Sequence, residues 1–278
     1  MAALKNTKKT SIIIGIVGLL GALPMSAIAQ NTTPQLTLPQ LSAAPDNPDL
    51  AEAARLNQQA EKLYIQGQYA AATPLAQRAL AIREQVLANN HPLVAQSLNI
   101  LGLLYQVQGQ YTLAEPLLQR ALAIREQVLG SNHPDVASSL NILGLLYQAQ
   151  GKYTPAEPLL QRALAIREQV LGNKHPLVAK SLNDLAFLYR DQGKYTLAEP
   201  LFQRAIAIDE QALGANHPNV ATTLNNLAIL YQDQGKYALA EPLFQRALTI
   251  FEQALGANHP DVAVSLTNLA TLYQKQGK

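Results

Sequence analysis

Polar and apolar residues alternate along most of the chain with helical spacing. Val94, Leu98, Leu101 and Tyr105 recur at steps of three and four, the stripe expected of one buried helix face. Leu117, Ala121, Ile124 and Val128 form a second stripe after a break at Gly109. The pattern then repeats. Gly67, Gly109, Gly151, Gly193, Gly235 and Gly277 are spaced by 42 residues without a slip. His91, His133, His175, His217 and His259 keep the same interval, each followed by proline, and so do Tyr69, Tyr111, Tyr153, Tyr195 and Tyr237. A period of this length marks a stacked-repeat architecture.

Each repeat predicts two helices. The first opens at the His-Pro pair, because proline at the first helical position gives up an N–H that has no partner there anyway. It closes at a glycine such as Gly109, which tolerates the left-handed backbone of a helix end. The second is expected to open on a capping box, Thr112/Glu115, Thr154/Glu157 or Thr196/Glu199, with Pro116 in its first turn and Gly130 at its end. One such hairpin cannot bury its own apolar face, so neighbours must stack into a continuous core. Counted from Ala53, whole units span 53–94, 95–136, 137–178, 179–220 and 221–262, and a partial unit covers 263–278.

The first 52 residues break this pattern. Lys5, Lys8 and Lys9 precede a 14-residue apolar run over 12–25, and Ala27-Ile28-Ala29 follows it. This is the three-part layout of a secretory signal over 1–29, with cleavage between Ala29 and Gln30. The run is short for a bilayer, which needs ~20 residues; an uncleaved membrane anchor is the alternative. Residues 30–52, with Pro34, Pro39, Pro45 and Pro48, predict a flexible tether without helix. The expected location is outside the cytoplasm, periplasmic or extracellular, with no membrane insertion after cleavage.

Composition narrows the chemistry. There is no cysteine, which removes disulfides, thiolate metal sites and cysteine nucleophiles. Without the three N-terminal lysines, 18 basic residues face 19 acidic ones, so no electrostatic footprint for nucleic acid exists. Neither Gly-rich phosphate-loop motif occurs. The five histidines cannot share an ion, because zinc ligands lie ~2 Å from the metal while stacked hairpins are separated by about two interhelical distances of ~8–10 Å. Each histidine is therefore expected to cap the helix that its proline begins. No catalytic residue, metal site or cofactor is expected. Tyr105, Tyr147, Tyr189, Tyr231 and Tyr273 are expected to pack in the core, and the Arg125-Glu126 and Arg167-Glu168 pairs to lie on a solvated outer face.

The segment LNNLAILYQDQGKYALAEPLFQRAL, residues 224–248, resembles a tetratricopeptide repeat: small Ala228 and Ala240, aromatic Tyr231, Gly235-Lys236-Tyr237 at the turn and Ala247 late in the second helix. With the LGANHP linker, the 42-residue form resembles the repeats of kinesin light chains and their bacterial relatives. The resemblance implies an all-α fold, a right-handed α-solenoid of antiparallel helix pairs, with first helices lining a concave groove that holds a protein or peptide. On that basis Asn99, Asn141, Asn183 and Asn225 form a ladder able to pair with a peptide backbone; the alternative is that they bond to the neighbouring hairpin. Leu103, Leu145, Phe187 and Ile229 would follow one turn on. Lys180, Asp184, Phe187 and Asp191 share one face, and with Arg190 and Asp233 make the C-terminal end of the groove acidic with basic compensation. The basic groove of kinesin light chains and the lysine clamp of chaperone-binding relatives are both missing. Two other readings stay open: an accessory region or fragment of a larger enzyme or signalling protein, suggested by the end at Lys278 within a unit, and a self-associating structural solenoid.

Overall fold

The protein is described here by a computed structural model covering residues 47–277. Among these residues it forms eleven helices and no strand: α1 (Pro48–Ile65), α2 (Tyr69–Val86), α3 (Pro92–Val107), α4 (Tyr111–Leu129), α5 (Pro134–Ala149), α6 (Tyr153–Leu171), α7 (Pro176–Asp191), α8 (Tyr195–Leu213), α9 (Pro218–Asp233), α10 (Tyr237–Leu255) and α11 (Pro260–Gln276). The described residues fall into two compact units, 47–146 and 147–277, which divide within α5.

Local chemistry sets the helix boundaries. Every His-Pro pair starts a first helix, and the Nδ1 of His91, His133, His175, His217 and His259 accepts the main-chain N–H two residues on, at 3.1–3.2 Å. Only a neutral ring can accept there, and burial holds His91, His175 and His217 below the usual imidazole range. Gly109 takes φ +73°, which lets Gln110 N–H reach back to Tyr105 O at 2.8 Å and close α3. That wrap turns the chain directly into α4.

Two expectations are corrected here. Pro48 does not bar a helix; it opens α1, where its missing N–H costs nothing, and Asn47 Oδ1 caps the turn by accepting from Asp49 and Leu50 N–H. The tether expected over 30–52 therefore overlaps a helix from Pro48 onward; residues 30–46, the signal segment 1–29 and its cleavage site Ala29/Gln30 lie outside the described residues. The repeat keeps its period: first helices begin at 48, 92, 134, 176, 218 and 260, so units counted from 53, 95, 137, 179, 221 and 263 open inside them. The capping boxes do not form. α4 begins at Tyr111 behind Gln110, which makes no side-chain cap, and Thr112 is already inside the helix with Pro116 in the second turn.

In the N-terminal unit Ala60, Ala72, Ala76, Leu80, Val94, Leu98, Leu101 and Leu104 pack as one cluster with Ala121 and Ile124. Gly102 sits where α3 meets α4: a Cβ there would lie 2.5 Å from Leu118 Cδ2. In the C-terminal unit Val178, Ala179 and Leu182 pack with Ala205 and Ile208, and Val220, Ala221 and Leu224 with Ala247, Ile250, Phe251 and Val262. Phe202 and Phe244 are the largest fully buried side chains. These interlocking clusters fix one face of each first helix, and so decide which side chains remain for a ligand.

Candidate functional site

The asparagine ladder lies between hairpins and not on an open face. In the N-terminal unit Asn57 Nδ2 donates to Ser97 Oγ at 2.9 Å and Asn99 Nδ2 to Ser139 Oγ at 3.0 Å, and Asn141 is likewise buried. In the C-terminal unit the partners change: Asn226 Nδ2 donates to Asn183 Oδ1 at 3.0 Å, and Asn268 Nδ2 to Asn225 Oδ1 at 3.1 Å. The expectation that Asn99, Asn141, Asn183 and Asn225 hold a peptide is thus corrected. The bonds of Asn99, Asn183 and Asn225 join consecutive first helices.

The positions one turn on divide similarly. Leu103, Leu145 and Phe187 are buried, and only Ile229 is half-buried. Ile100 and Ile142 are buried beside the leucines, so the first-helix face of the N-terminal unit is an apolar packing layer. In the C-terminal unit the corresponding layer turns polar. Asp184 is fully buried and Lys180 half-buried. Burial lowers the Lys180 ammonium below the usual lysine range, Asp184 opposes that effect, and Arg167 adds to it.

Arg190, Asp191 and Asp233 make a charged network on this face that reaches solvent. The Arg190 guanidinium lies over the Phe187 ring, 4.1 Å from its centroid, a cation–π contact shielded from water. Its Nη2 donates to Asp191 Oδ1 at 2.8 Å, and its Nε stands 3.9 Å from Asp233 Oδ2. Asp191 Oδ2 also accepts from Gln148 Nε2 at 2.8 Å. Asp191 is consequently held on both oxygens, while the Asp233 side chain is 37% exposed and holds Arg190 only at the limit of contact. The acidic end reduces to one accessible carboxylate beside a half-buried Ile229. Gln148, which locks Asp191, lies one period before Arg190, and that spacing was the signal for it.

Two other columns join hairpins. Tyrosine hydroxyls tie α7, α9 and α11 to the preceding second helix: Tyr189 to Glu157, Tyr231 to Glu199 and Tyr273 to Glu241, at 3.3, 2.9 and 3.2 Å. Glu157 also receives Lys194 and Gln192; these bonds outweigh the upward push of burial and hold its carboxyl below the usual range. Arg125 and Arg167, expected on a solvated face, are buried and bond to Ser139 and Ser181 of the next first helix. Leu197 and Leu239, at the starts of α8 and α10, are about half exposed. No helix among the described residues is long and apolar enough to cross a membrane.

The hairpin geometry matches known proteins. Tetratricopeptide repeat models match residues 53–93, 94–169, 141–211, 177–253 and 220–278. The structure is similar to that of the putative kinesin light chain nearly identical TPR-like repeats from Podosopora anserina, at 28% identity and TM-score 0.60, over 76% of this chain and 99% of that one. It is also similar in fold to BtubC (BKLC) from P. vanneervenii, at 24% identity and TM-score 0.59, over 83% and 84% of the two chains. A Rap protein complexed with Competence and Sporulation Factor shares the fold at 20% identity and TM-score 0.57, over 82% of this chain and 65% of that one. None of the curated proteins matches the chain significantly. With family models spanning 53–278 on hairpins that stack through this recurrent core, the chain belongs to the tetratricopeptide repeat family, whose α-solenoids are typical protein–protein interaction scaffolds.

Proposed function

We propose that the folded region is a non-catalytic scaffold that binds a protein or peptide through the first-helix face of its C-terminal unit, on a chain exported from the cytoplasm. Asp233 carries this reading: its side chain is 37% exposed at the edge of a charged network with Arg190 and Asp191. A segment with an apolar side chain for Ile229 and a lysine or arginine for Asp233 suits that patch. A scaffold site of this kind takes its affinity from a small anchored cluster and not from the whole face. The Rap neighbour, solved with a bound factor, supports binding as a use of this fold and leaves the ligand open.

The test is a peptide array probed with the purified chain, followed by dissociation constants for the peptides retained. Replacing the peptide's basic residue by alanine, or Asp233→Asn in the protein, should weaken binding about tenfold, the scale of one desolvated charge pair. Asn225→Ala, at a buried inter-hairpin bond, should leave binding intact once the variant is shown to be folded. Affinity indifferent to both charge changes sinks the assignment. Export rests on the basic head, the apolar run over 12–25 and Ala27-Ile28-Ala29. N-terminal sequencing of the chain recovered from outside the cytoplasm should begin at Gln30; an intact Met1 there would favour the anchor.

A further inference from the structure

Second-helix positions 83, 125, 167 and 209 form one column at the 42-residue period, and the first three are arginine. Each of these guanidiniums turns inward and spans to the next hairpin with one nitrogen. Arg83 Nη1 donates to Leu93 O at 2.7 Å and Ser97 Oγ at 2.9 Å. Arg125 Nη1 donates to Asp135 O and Ser139 Oγ, both at 2.9 Å. Arg167 Nη1 donates to Leu177 O at 3.4 Å and Ser181 Oγ at 2.6 Å. The column thus sets a donor against two acceptors at the head of the next first helix.

The fourth member reverses that chemistry. Asp209 is 3% exposed, and its Oδ1 is buried without a hydrogen-bond partner. The equivalent acceptors on α9 are Asn219 O and Thr223 Oγ1, and the Thr223 hydroxyl already donates to Asn219 O at 3.2 Å. An ionised carboxylate has no proton to offer. A protonated one carries one O–H donor and avoids burying an unpaired charge beside the next hairpin.

We infer that Asp209 makes the junction of α8 and α9 a proton-operated joint, tight with the carboxyl protonated and weakened when it ionises. Burial alone pushes this carboxyl up from 3.8 to about 7. The charged and titratable groups on the surrounding helices are occupied elsewhere. His217 accepts from Asn219 N–H at the head of α9, Asp233 stands at the far end of that helix, and Arg246 of α10 holds Glu210. On α7, Lys180 interacts with Asp184 and Arg190 with Asp191, and on α8 itself Arg204 holds Glu168 and Tyr231 holds Glu199.

The direction follows from linkage. The unfolded chain releases this proton near 3.8 and the folded chain near 7, so between those values the folded state holds more protons. Stability from this group is complete below about 4, falls as pH rises toward 7, and levels above it. His91, His175 and His217, with imidazoles lowered by burial, act in the opposite sense, and Asp261, raised by burial, acts in the same one. Comparison with Asp209→Asn isolates the joint from all four.

The full chain is titrated by carboxyl carbon NMR, with the Asp209 signal assigned by its loss in Asp209→Asn. A midpoint near 7 supports the joint, and one near 4 overturns it. Thermal unfolding should show the wild type losing about 5 °C or more relative to Asp209→Asn between pH 5 and pH 8; parallel curves overturn it. Should the variant fail to fold, hydrogen exchange on the unaltered chain decides. Protection over residues 205–228 should fall tenfold or more from pH 5 to pH 8 relative to residues 121–144, where Arg125 occupies the column. Equal behaviour of the two joints overturns the inference.

Discussion

The N-terminal and C-terminal units share a backbone plan and differ in what fills it. In the N-terminal unit Gly102 packs closely against Leu118; in the C-terminal unit the equivalent positions are held by buried Ala186 and Phe202, and by Ala228 and Phe244. The first joins consecutive first helices by asparagine to serine, the second by asparagine to asparagine. The first presents Ile100, Leu103, Ile142 and Leu145 on its first-helix face, the second Asp184, Arg190, Asp191 and Asp233. A repeat fold tolerates such change when both partners of a contact change together, because each hairpin touches only its neighbours. What differs between the units is then free to serve a ligand, and what merely alternates between compatible pairs is packing.

The largest test of that view removes a ring. Phe202→Ala should destabilise the C-terminal unit by about 3–5 kcal/mol, since Phe202 is fully buried and its loss leaves a cavity that stacked hairpins cannot fill. Urea unfolding followed by circular dichroism measures it. A cost below about 1 kcal/mol would mean that the two units do not depend on their different core residues.

Next in size is the exchange of small residues. Gly102→Ala should cost about 1–3 kcal/mol in spite of alanine's better helix propensity, because the added methyl meets Leu118 at 2.5 Å. Adding Leu118→Phe copies the C-terminal pair, and the double variant should recover part of the loss. A double-mutant cycle with no coupling would show that Gly/Leu and Ala/Phe are not alternative solutions to one contact.

These cases also mark what could be read in the sequence. Period, hairpins and histidine caps were legible because each depends on residues a few positions apart. The asparagine ladder was not, since its direction depends on how one hairpin meets the next, and no single repeat encodes that. Arg125 was misplaced for a different reason. Its neighbour Glu126 suggested an exposed pair, yet Ala114, Leu118, Ala121 and Arg125 follow steps of four, three and four, all of them buried. The stripe outranked the adjacency. Asp191 and Asp233 were found from spacing, but the bonds that leave only Asp233 accessible required side-chain positions.

The ladder itself gives a third, smaller contrast. Asn99→Ala should cost about 1 kcal/mol, because Ser139 keeps its bond from Arg125 when the amide is lost. Asn183→Ala should cost more, about 1–3 kcal/mol, because it strands Asn226 Nδ2 in a buried site. Denaturant midpoints of the two variants measure the difference. Equal losses would mean that Ser139 and Asn226 are equally well satisfied without their partners.

The smallest effect belongs to the outer arginines. Arg246 holds Glu210 at 2.6 Å and Arg204 holds Glu168 at 2.7 Å, a pairing repeated between second helices. Short distance alone would suggest strong bonds, but the Arg246 and Glu210 side chains are 41% and 34% exposed. Water screens them, and two long side chains must be ordered to hold the contact. Arg246→Gln should therefore cost no more than about 0.5 kcal/mol, and the loss should vanish in high salt. Arg167→Gln, by contrast, removes a buried guanidinium whose donors reach Leu177 O and Ser181 Oγ, and salt should leave that loss unchanged. Unfolding of both variants at low and high salt separates the two columns. A salt-insensitive loss at Arg246 would place the outer column among the contacts that hold the hairpins together.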